Sequence, residues 1–341
     1  MISFNSTLKT CGQNRRQAMF KRLVNECTIE LRLKPEGALL IKSGLEQVSD
    51  VKMAWVKVYR GDRSDPEVYL PGSSLKGTIR SHAERIARTI KSNAACDPFS
   101  PQGELAACGN VLDDLKRSKR GNDPTTPEVY KNSCLACRLF GNTWLLGRFA
   151  TEDAYIEGDP PQIQVRDNVG IDRFTGGSFH SAKFDLEVIT GGIFKTTLHL
   201  QNFELWQLGL IGFVLQDMKD GLVRMGSGKS RGLGKVVADI GKITLHYLGT
   251  APKIAENGHF NIMGVGALFE QYEQYGMVKD DRVQVESGRG EMLPSPFSAL
   301  RQSMTFTFDN FPWQPVADRW VQYAQAYKDG LEKQRGGSHG R

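Results

Sequence analysis

The chain has 341 residues, of which 40% are hydrophobic, 24% charged and 9% aromatic. This composition supports a sizeable hydrophobic core, and it excludes both a disordered tail protein and a small scaffold held together by disulfides. Lysine and arginine exceed aspartate and glutamate by 44 to 38, a net charge of +6, which favours a polyanionic partner only where the basic residues cluster.

The length predicts two domains or one large domain with insertions, at roughly 100–200 residues per domain. In chain order, alternation and β-branched residues predict strands within 26–42 (with a turn at 34–37), 51–59, 68–70, 196–200, 236–240 and 243–248. Helical periodicity predicts a helix capped by Ser73 or Ser74 and further helices over 205–218, 262–277 and 317–333. Residues 158–192 resemble a long hairpin with arms at 163–171 and 182–190.

The N-terminal residues lack the apolar run of a secretory signal, and no stretch approaches the ~18 apolar residues of a membrane span. We therefore expect a cytoplasmic protein without a membrane partner. In a reducing compartment, the six cysteines are better interpreted as metal ligands or buried thiols than as disulfides.

Four cysteines predict a structural Zn²⁺ site. Cys134 and Cys137 form a CxxC turn that supplies two ligands, and Cys96 and Cys108 lie upstream in a stretch rich in proline, glycine and asparagine. Tetrahedral Zn²⁺ needs four thiolates or imidazoles, and a loop-rich insertion has few other ways to hold a shape. The alternative is two independent buried thiols beside a fortuitous CxxC. A redox CxxC is less consistent because no βαβ pattern surrounds it.

A glycine-rich segment, MGSGKSRGLGK at 225–235, predicts an anion-binding loop. Its small residues leave backbone N–H groups free to cradle phosphates, and Lys229, Arg231 and Lys235 can pair with them. The nucleotide P-loop pattern fails because position 223 is valine, and GxGxxG fails because position 231 is arginine. The loop suits a phosphodiester backbone; the alternative is a tight basic surface turn.

The segment PGSSLKGTIR at 71–80 predicts a second anion site. At this helix start, free N–H groups and the positive end of the helix dipole converge with Ser73, Ser74 and Lys76. Two such sites, together with Arg166 and Arg173 on the hairpin, fit a polynucleotide better than a mononucleotide. For the helix start alone, the alternative is a capped amphipathic helix with a solvated basic face.

Taken in order, these motifs carry a family resemblance. The four segments are YLPGSSLKGTIR at 69–80, CRLFG at 137–141, GIDRFTGG at 170–177 with FxxE at 184–187, and GSGKSRGLGK at 226–235. Over about residues 25–245 the chain resembles the RAMP (repeat-associated mysterious protein) superfamily of CRISPR type III systems, and within it the backbone-subunit branch. Any one motif is weak, but four in this order are highly specific.

The resemblance implies an α+β fold with a ferredoxin-like, RRM-related palm over 1–250. The palm would include a zinc-binding insertion at 92–140 and a β-hairpin thumb at 158–192. Residues 251–341, which the resemblance does not cover, are expected to form a C-terminal extension that contacts a partner, with its last residues disordered. Such subunits stack along a CRISPR guide RNA, with complementary target RNA and other effector subunits as partners. The implied RNA contacts are Ser73, Ser74, Lys76, Arg80, Arg166, Arg173, Gly226, Gly228, Lys229, Ser230, Arg231, Gly232 and Lys235.

Catalysis is the open point. Backbone subunits of this family often cleave target RNA with an aspartate in a loop after the first glycine-rich turn, using Mg²⁺ or another divalent ion. Asp50 lies in the corresponding loop, although the spacing to the following strand departs from the family pattern. Three alternatives therefore stand: a guide-RNA-binding scaffold, a target-RNA endonuclease with Asp50 as its catalytic group, and a stand-alone guide-processing ribonuclease. A guide-processing ribonuclease would need a general acid–base pair, and the sequence offers no convincing group of histidines or tyrosines for it.

Overall fold

The computed structural model describes residues 21–42, 54–61, 65–249, 255–256, 258–293 and 300–327. Its strands are β1 (Asn25–Pro35), β2 (Lys57–Val58), β3 (Glu67–Val68), β4 (Gly141–Asn142), β5 (Leu145–Leu146), β6 (Phe149–Thr151), β7 (Tyr155–Ile156), β8 (Gln162–Ile171), β9 (Ser178–Thr190), β10 (Phe194–Gln201), β11 (Val236–Leu248), β12 (Ala255–Glu256), β13 (His259–Met263), β14 (Arg282–Glu286), β15 (Glu291–Leu293) and β16 (Arg301–Phe306). Its α-helices are α1 (Gly72–Ile90), α2 (Cys108–Ser118), α3 (Thr126–Lys131), α4 (Leu135–Phe140), α5 (Leu205–Lys219), α6 (Val265–Leu268), α7 (Tyr272–Tyr275) and α8 (Trp313–Ala326).

Seven of the described strands form one antiparallel sheet in the order β15-β16-β11-β1-β10-β6, with β7 also paired to β10. The central strand β1 alternates between fully buried and half-exposed residues, the period of two that a sheet with one covered face requires. The expected strands at 236–240 and 243–248 are one continuous strand, β11, whose register against β1 shifts between Ile29 and Leu31. The chain is thus a mixed α+β protein.

Helices cover one face of this sheet. α5 packs against β11 and α8, and α1 packs against α5 and β6. Helices α5 and α8 pack through aromatic side chains. The centre of the Trp206 ring lies 5.9 Å from that of Trp320 and 5.0 Å from that of Tyr323. Both β16 and α8 come from the predicted C-terminal extension, so that segment contributes to the same sheet and core.

Three local predictions were wrong. The helix expected over 262–277 is instead the strand β13 followed by the short helices α6 and α7. The stretch around Cys96 and Cys108, expected to lack regular structure, contains α2 and leads into α3. A capping box formed by Thr125 and Glu128 stabilises the N-terminus of α3. The second strand expected after the 34–37 turn is reduced to isolated bridges at Leu39 and Lys42.

No helix in the described part of the chain combines the length and apolar character that a membrane crossing needs.

A buried carboxyl predicts a pH-dependent stability. Asp281, just before β14, is buried, and its Oδ2 accepts a 2.8 Å hydrogen bond from the Leu205 N–H at the start of α5. Burial raises the pKa of Asp281 to about 7. The pKa of Asp281 in the folded chain exceeds its unfolded value of about 4, so folding favours the neutral carboxyl. Its contribution to the free energy of unfolding is fully present below about pH 4 and is lost as the pH rises through about 7.

We expect the free energy of unfolding of wild type to fall between pH 4 and pH 8 by at most about 4 kcal/mol from this group. Asp281→Asn keeps an oxygen acceptor for the Leu205 N–H and removes the titration, so its urea midpoint should depend less on pH. A variant whose midpoint follows the wild-type pH profile would show that Asp281 does not titrate in this range.

Candidate functional site

Four cysteines converge on one buried point. Cys96 follows a 3₁₀ turn at Ser92–Ala94, Cys108 begins α2, and Cys134 and Cys137 lie at the start of α4. Their four sulfur atoms all lie within 4.8 Å of one another, and all four side chains are buried. The predicted grouping is therefore confirmed in space: the four residues could hold a metal ion such as Zn²⁺.

The sulfur geometry fits a tetrahedral metal better than a disulfide. Cys96 Sγ and Cys137 Sγ are 3.6 Å apart. Zn–S bonds of about 2.3 Å place tetrahedral sulfurs about 3.8 Å apart, whereas a disulfide needs about 2.05 Å. Four soft thiolates are a donor set that selects zinc. In contrast, Cys27 lies alone in β1, where burial raises the pKa of its thiol.

Backbone N–H groups point at the sulfurs. Cys96 N donates to Cys134 Sγ over 3.3 Å, Cys134 N donates to Cys108 Sγ over 3.2 Å, and Cys137 N donates to Cys134 Sγ over 3.4 Å. Hydrogen bonding among the four thiols lowers the pKa of Cys96 and Cys134 and raises the pKa of Cys108 and Cys137, so the cluster shares its protons unequally. Donors arranged this way stabilise thiolates, the form that binds metal.

Two arginines of α1 donate hydrogen bonds to residues around the cysteine centre, a role that the sequence did not indicate. Arg88 donates to the carbonyl oxygens of Ala95 and Cys96, at 3.1 and 2.7 Å. Two helical turns earlier, Arg80 donates to the Gly141 carbonyl oxygen at 3.0 Å and approaches Cys137 Sγ at 3.7 Å. Part of the basic face of α1 thus binds the insertion, and Arg80, expected to contact RNA, lies against Cys137.

The start of α1 differs from the expectation. The helix begins at Gly72 after Pro71, and neither Ser73 nor Ser74 caps it. Instead, Gly72 N donates to Asp153 Oδ1 at 2.7 Å, and Thr151 Oγ1 donates to the Gly72 carbonyl oxygen at 2.6 Å. No local motif could reveal this cap, because Asp153 is 81 residues away along the chain.

Ser73 is exposed near the helix start, and Ser74 and Lys76 are half-buried. Burial lowers the pKa of Lys76, and the neighbouring positive charge of Arg80 adds to the effect. The first turn of α1 contains no acidic residue. The positive end of the helix dipole therefore lies beside a cation and two hydroxyls, which favour an anion, although the Asp153 carboxylate already accepts from its first N–H group.

The glycine loop packs tightly against residues 38–41. Gly226, Gly228, Gly232 and Gly234 all have φ between +73° and +86°. Ser227 N donates to Leu40 O at 2.8 Å, and Gly234 N donates to Ala38 O at 2.9 Å. These bonds fix both ends of the loop.

Between these fixed ends, Lys229, Ser230 and Arg231 form an exposed 3₁₀ turn. Lys235, at the end of the loop, makes a 2.7 Å ion pair with Glu36. Arg231 lies over the Phe184 ring at 5.5 Å, which links the glycine loop to the hairpin.

The hairpin β8–β9 is a two-stranded ribbon that carries Arg166 on one arm and Arg173 at the tip, both exposed. Asp172 organises the tip by accepting hydrogen bonds from Phe174 N and Thr175 Oγ1, each at 3.0 Å. These bonds lower the pKa of Asp172. Phe174 is fully exposed, so the tip presents an aromatic ring and a guanidinium to solvent.

The base of the hairpin meets the glycine loop through residues 38–41. Leu39 pairs with Ile189, and the neighbouring Leu40 carbonyl oxygen accepts from the glycine loop. Glu187 accepts from Trp55 N at 2.8 Å and from Lys57 Nζ at 2.6 Å, contacts that the FxxE pattern did not predict. Asp50 lies outside the described residues.

A family model for the RAMP superfamily matches residues 57–237, more than half of the chain. The chain belongs to the RAMP superfamily. Membership suggests a CRISPR-associated, RNA-binding role. The comparison with curated proteins finds no match.

The RAMP match contains every site described above. The cysteine centre, the start of α1, the hairpin and the glycine loop all fall within 57–237, whereas Asp50 and the C-terminal extension fall outside it. In this RAMP chain, the glycine loop with its exposed cations and the hairpin with its exposed arginines both pair with residues 38–41. That arrangement can hold a polyanion without reading base edges.

Proposed function

We propose that this RAMP protein is a guide-RNA-binding backbone subunit of a type III CRISPR effector complex, with complementary target RNA and other effector subunits as partners. One observation carries the proposal: the glycine loop is fixed to residues 38–41 by its own backbone, yet it exposes Lys229, Ser230 and Arg231. A preformed cationic turn loses little conformational freedom when it binds a phosphodiester backbone.

The palm is proposed to be ferredoxin-like. In support, β11, β1, β10 and β6 are neighbours in that order, and the chain runs through them as β1, α1, β6, β10, α5 and β11. Two β–α–β units of this kind place both helices on one face. The hairpin β8–β9, inserted before β10, is proposed as the thumb that enters between guide and target strands.

The remaining RNA contacts are proposed at three places. The start of α1 supplies Ser73, Ser74 and Lys76, and the hairpin supplies Arg166 and Arg173. In the glycine loop, the small residues permit close approach of the RNA backbone. The cysteine centre is proposed to hold structural Zn²⁺, which would fix α4 and the loop before α2 and take no part in RNA chemistry.

Binding tests this proposal. We expect the double variant Lys229→Ala, Arg231→Ala to lose roughly tenfold or more in affinity for single-stranded guide RNA at physiological salt, because two charge-assisted phosphate contacts disappear. Lys242→Ala is the matched control, since it removes one exposed positive charge from β11, away from the loop. Equal RNA affinity in the double variant and wild type would contradict the assignment of the glycine loop.

A second proposal is that the subunit cleaves target RNA with Asp50 and a divalent ion such as Mg²⁺. It rests on the family resemblance; the described residues on either side of the Asp50 segment pair with each other, Lys42 with Trp55 and Val56 N with Ile41 O at 3.1 Å, beside the hairpin base. Asp50→Ala should then remove a cleavage product of the assembled effector at unchanged guide occupancy. If every cleavage product persists, cleavage by Asp50 is contradicted and only the scaffold function remains.

A further inference from the structure

A groove of about 590 Å³ lies between the first half of α1 and the turn that joins β4 to β5. Lys76 and Arg80 line its helical side. Trp144 and Leu146 line the opposite side, and Leu146 is 82% exposed. The groove therefore pairs a cationic wall with an apolar wall.

One of the two cations of the helical wall, Lys76, has no carboxylate partner among the described residues. Arg80 is paired with Glu84 at 2.8 Å, but no carboxylate in the described part of the chain pairs with Lys76. Lys76 is half-buried, and its pKa is lowered because burial and Arg80 both disfavour its charge. An anion in the groove would relieve both effects, so the groove favours a ligand that carries negative charge.

The apolar wall adds a second requirement. Leu146 projects from β5, and the Trp144 indole is held in place by a 2.9 Å hydrogen bond to Asp113 Oδ1. Lys116 Nζ also lies 5.7 Å from the centre of the Trp144 ring. A ligand that contacts both walls needs an anionic group for the cationic wall and a flat apolar face for the apolar wall. A nucleotide has both, in its phosphate and its base.

The cysteine centre shapes this groove. The wall at 140–147 directly continues α4, which contains Cys137. Arg80 bonds to the Gly141 carbonyl oxygen within this wall and also contacts Cys137 Sγ. Loss of order at the cysteines would therefore displace one wall of the groove relative to α1.

We propose that the groove is an RNA subsite that takes one nucleotide of the bound single strand, with its phosphate at Lys76 and its base against Trp144 and Leu146. This inference rests on the proposed RNA-binding function and adds a site for a single nucleotide beside the cysteine centre.

Photocrosslinking in the full-length chain tests the subsite. With p-benzoylphenylalanine in place of Leu146, ultraviolet irradiation in the presence of labelled single-stranded guide RNA should give a protein–RNA crosslink. The same label in place of exposed Leu300, which lies in the C-terminal extension and does not line the groove, is the control and should crosslink far less. Lys76→Ala, in the otherwise unchanged chain, should weaken RNA binding about tenfold, as expected for one charge-assisted phosphate contact.

The outcomes separate the subsite from the proposed function. A crosslink from position 146 only to a second copy of the protein would overturn the subsite and leave the guide-binding proposal standing. RNA binding with wild-type affinity by Lys76→Ala would overturn the subsite and remove Lys76 from the proposed guide contacts, while the glycine loop is tested separately by the double variant Lys229→Ala, Arg231→Ala. Failure of the unlabelled wild-type chain to bind RNA would overturn both. A crosslink to RNA together with weakened binding by Lys76→Ala would support the subsite.

Discussion

Replacing Cys134 with serine is expected to abolish metal binding and to lower the melting temperature by about 10 °C or more. Cys134 Sγ accepts hydrogen bonds from Cys96 N and Cys137 N, and its own N–H donates to Cys108 Sγ. Loss of the sulfur therefore removes one metal ligand and disturbs the hydrogen bonds from Cys96 N and Cys137 N. A structural metal contributes its binding energy to folding, so the insertion should loosen when the metal leaves.

Elemental analysis and thermal unfolding measure both effects. Wild type should carry about one zinc per chain, as expected for a single Cys₄ site. Cys27→Ala is the control: it also removes a buried cysteine, but it lies in β1 and should keep the metal while losing only packing energy. Cys134→Ser with undiminished zinc, or wild type without bound metal, would show that the four cysteines are not a metal centre.

The second large effect is expected from Gly226 and Gly234. A Cβ on Gly226 would lie 2.3 Å from Leu40 O, and a Cβ on Gly234 would lie 2.2 Å from Met225 O. Both glycines also have positive φ, which costs an L-residue about 1–2 kcal/mol. Because backbone must move in addition, Gly226→Ala or Gly234→Ala should destabilise the chain by about 3 kcal/mol or more.

Gly232→Ala provides the matched comparison within the same loop. Gly232 has φ +80° as well, but a Cβ there meets nothing within 4 Å. Its cost should be the backbone strain alone, about 1–2 kcal/mol. Urea unfolding of the three variants measures the difference, and equal destabilisation would contradict the close packing of Gly226 against Leu40 and of Gly234 against Met225.

Much of the cysteine site could be predicted because its ligand chemistry is specific to residue type and spacing. Cys134 and Cys137 form a recognisable turn, and the expectation of a reducing compartment left few other uses for Cys96 and Cys108. The supporting arginines could not be predicted. Arg80 and Arg88 form an ordinary basic helix face in sequence, and only the tertiary fold brings Cys137 beside that face.

Prediction of the fold succeeded where periodicity was long and failed where it was short. The alternation in β1 and the long apolar run of α5 identified central elements, because such patterns reflect burial over many residues. The region 262–277 mixes apolar and polar residues over short spans, and tertiary contacts divided it into β13, α6 and α7. The cap of α1 by Asp153 is equally a product of the fold, because its partners are remote in sequence.

The structure also explains why net charge alone is a weak guide to RNA binding. The densest basic run in the chain is KRSKR at 116–120, but Lys116, Arg117 and Lys119 are each paired with a nearby carboxylate, which leaves exposed Arg120 outside these pairs. The glycine loop has fewer cations, yet Lys229 and Arg231 are exposed. Exposure and backbone geometry, more than the number of basic residues, favour this loop as the RNA contact.

The most direct test of the central claim is the salt dependence of RNA binding by wild type, measured with two single-stranded RNAs of equal length and unrelated sequence. Binding through phosphates predicts similar affinities for both RNAs and a linear decrease of log K with log salt, with a slope of about −0.7 per phosphate contacted. The double variant Lys229→Ala, Arg231→Ala should give a shallower slope. An affinity that is independent of salt, or strong preference for one sequence, would contradict an RNA-binding mode based on the phosphate backbone.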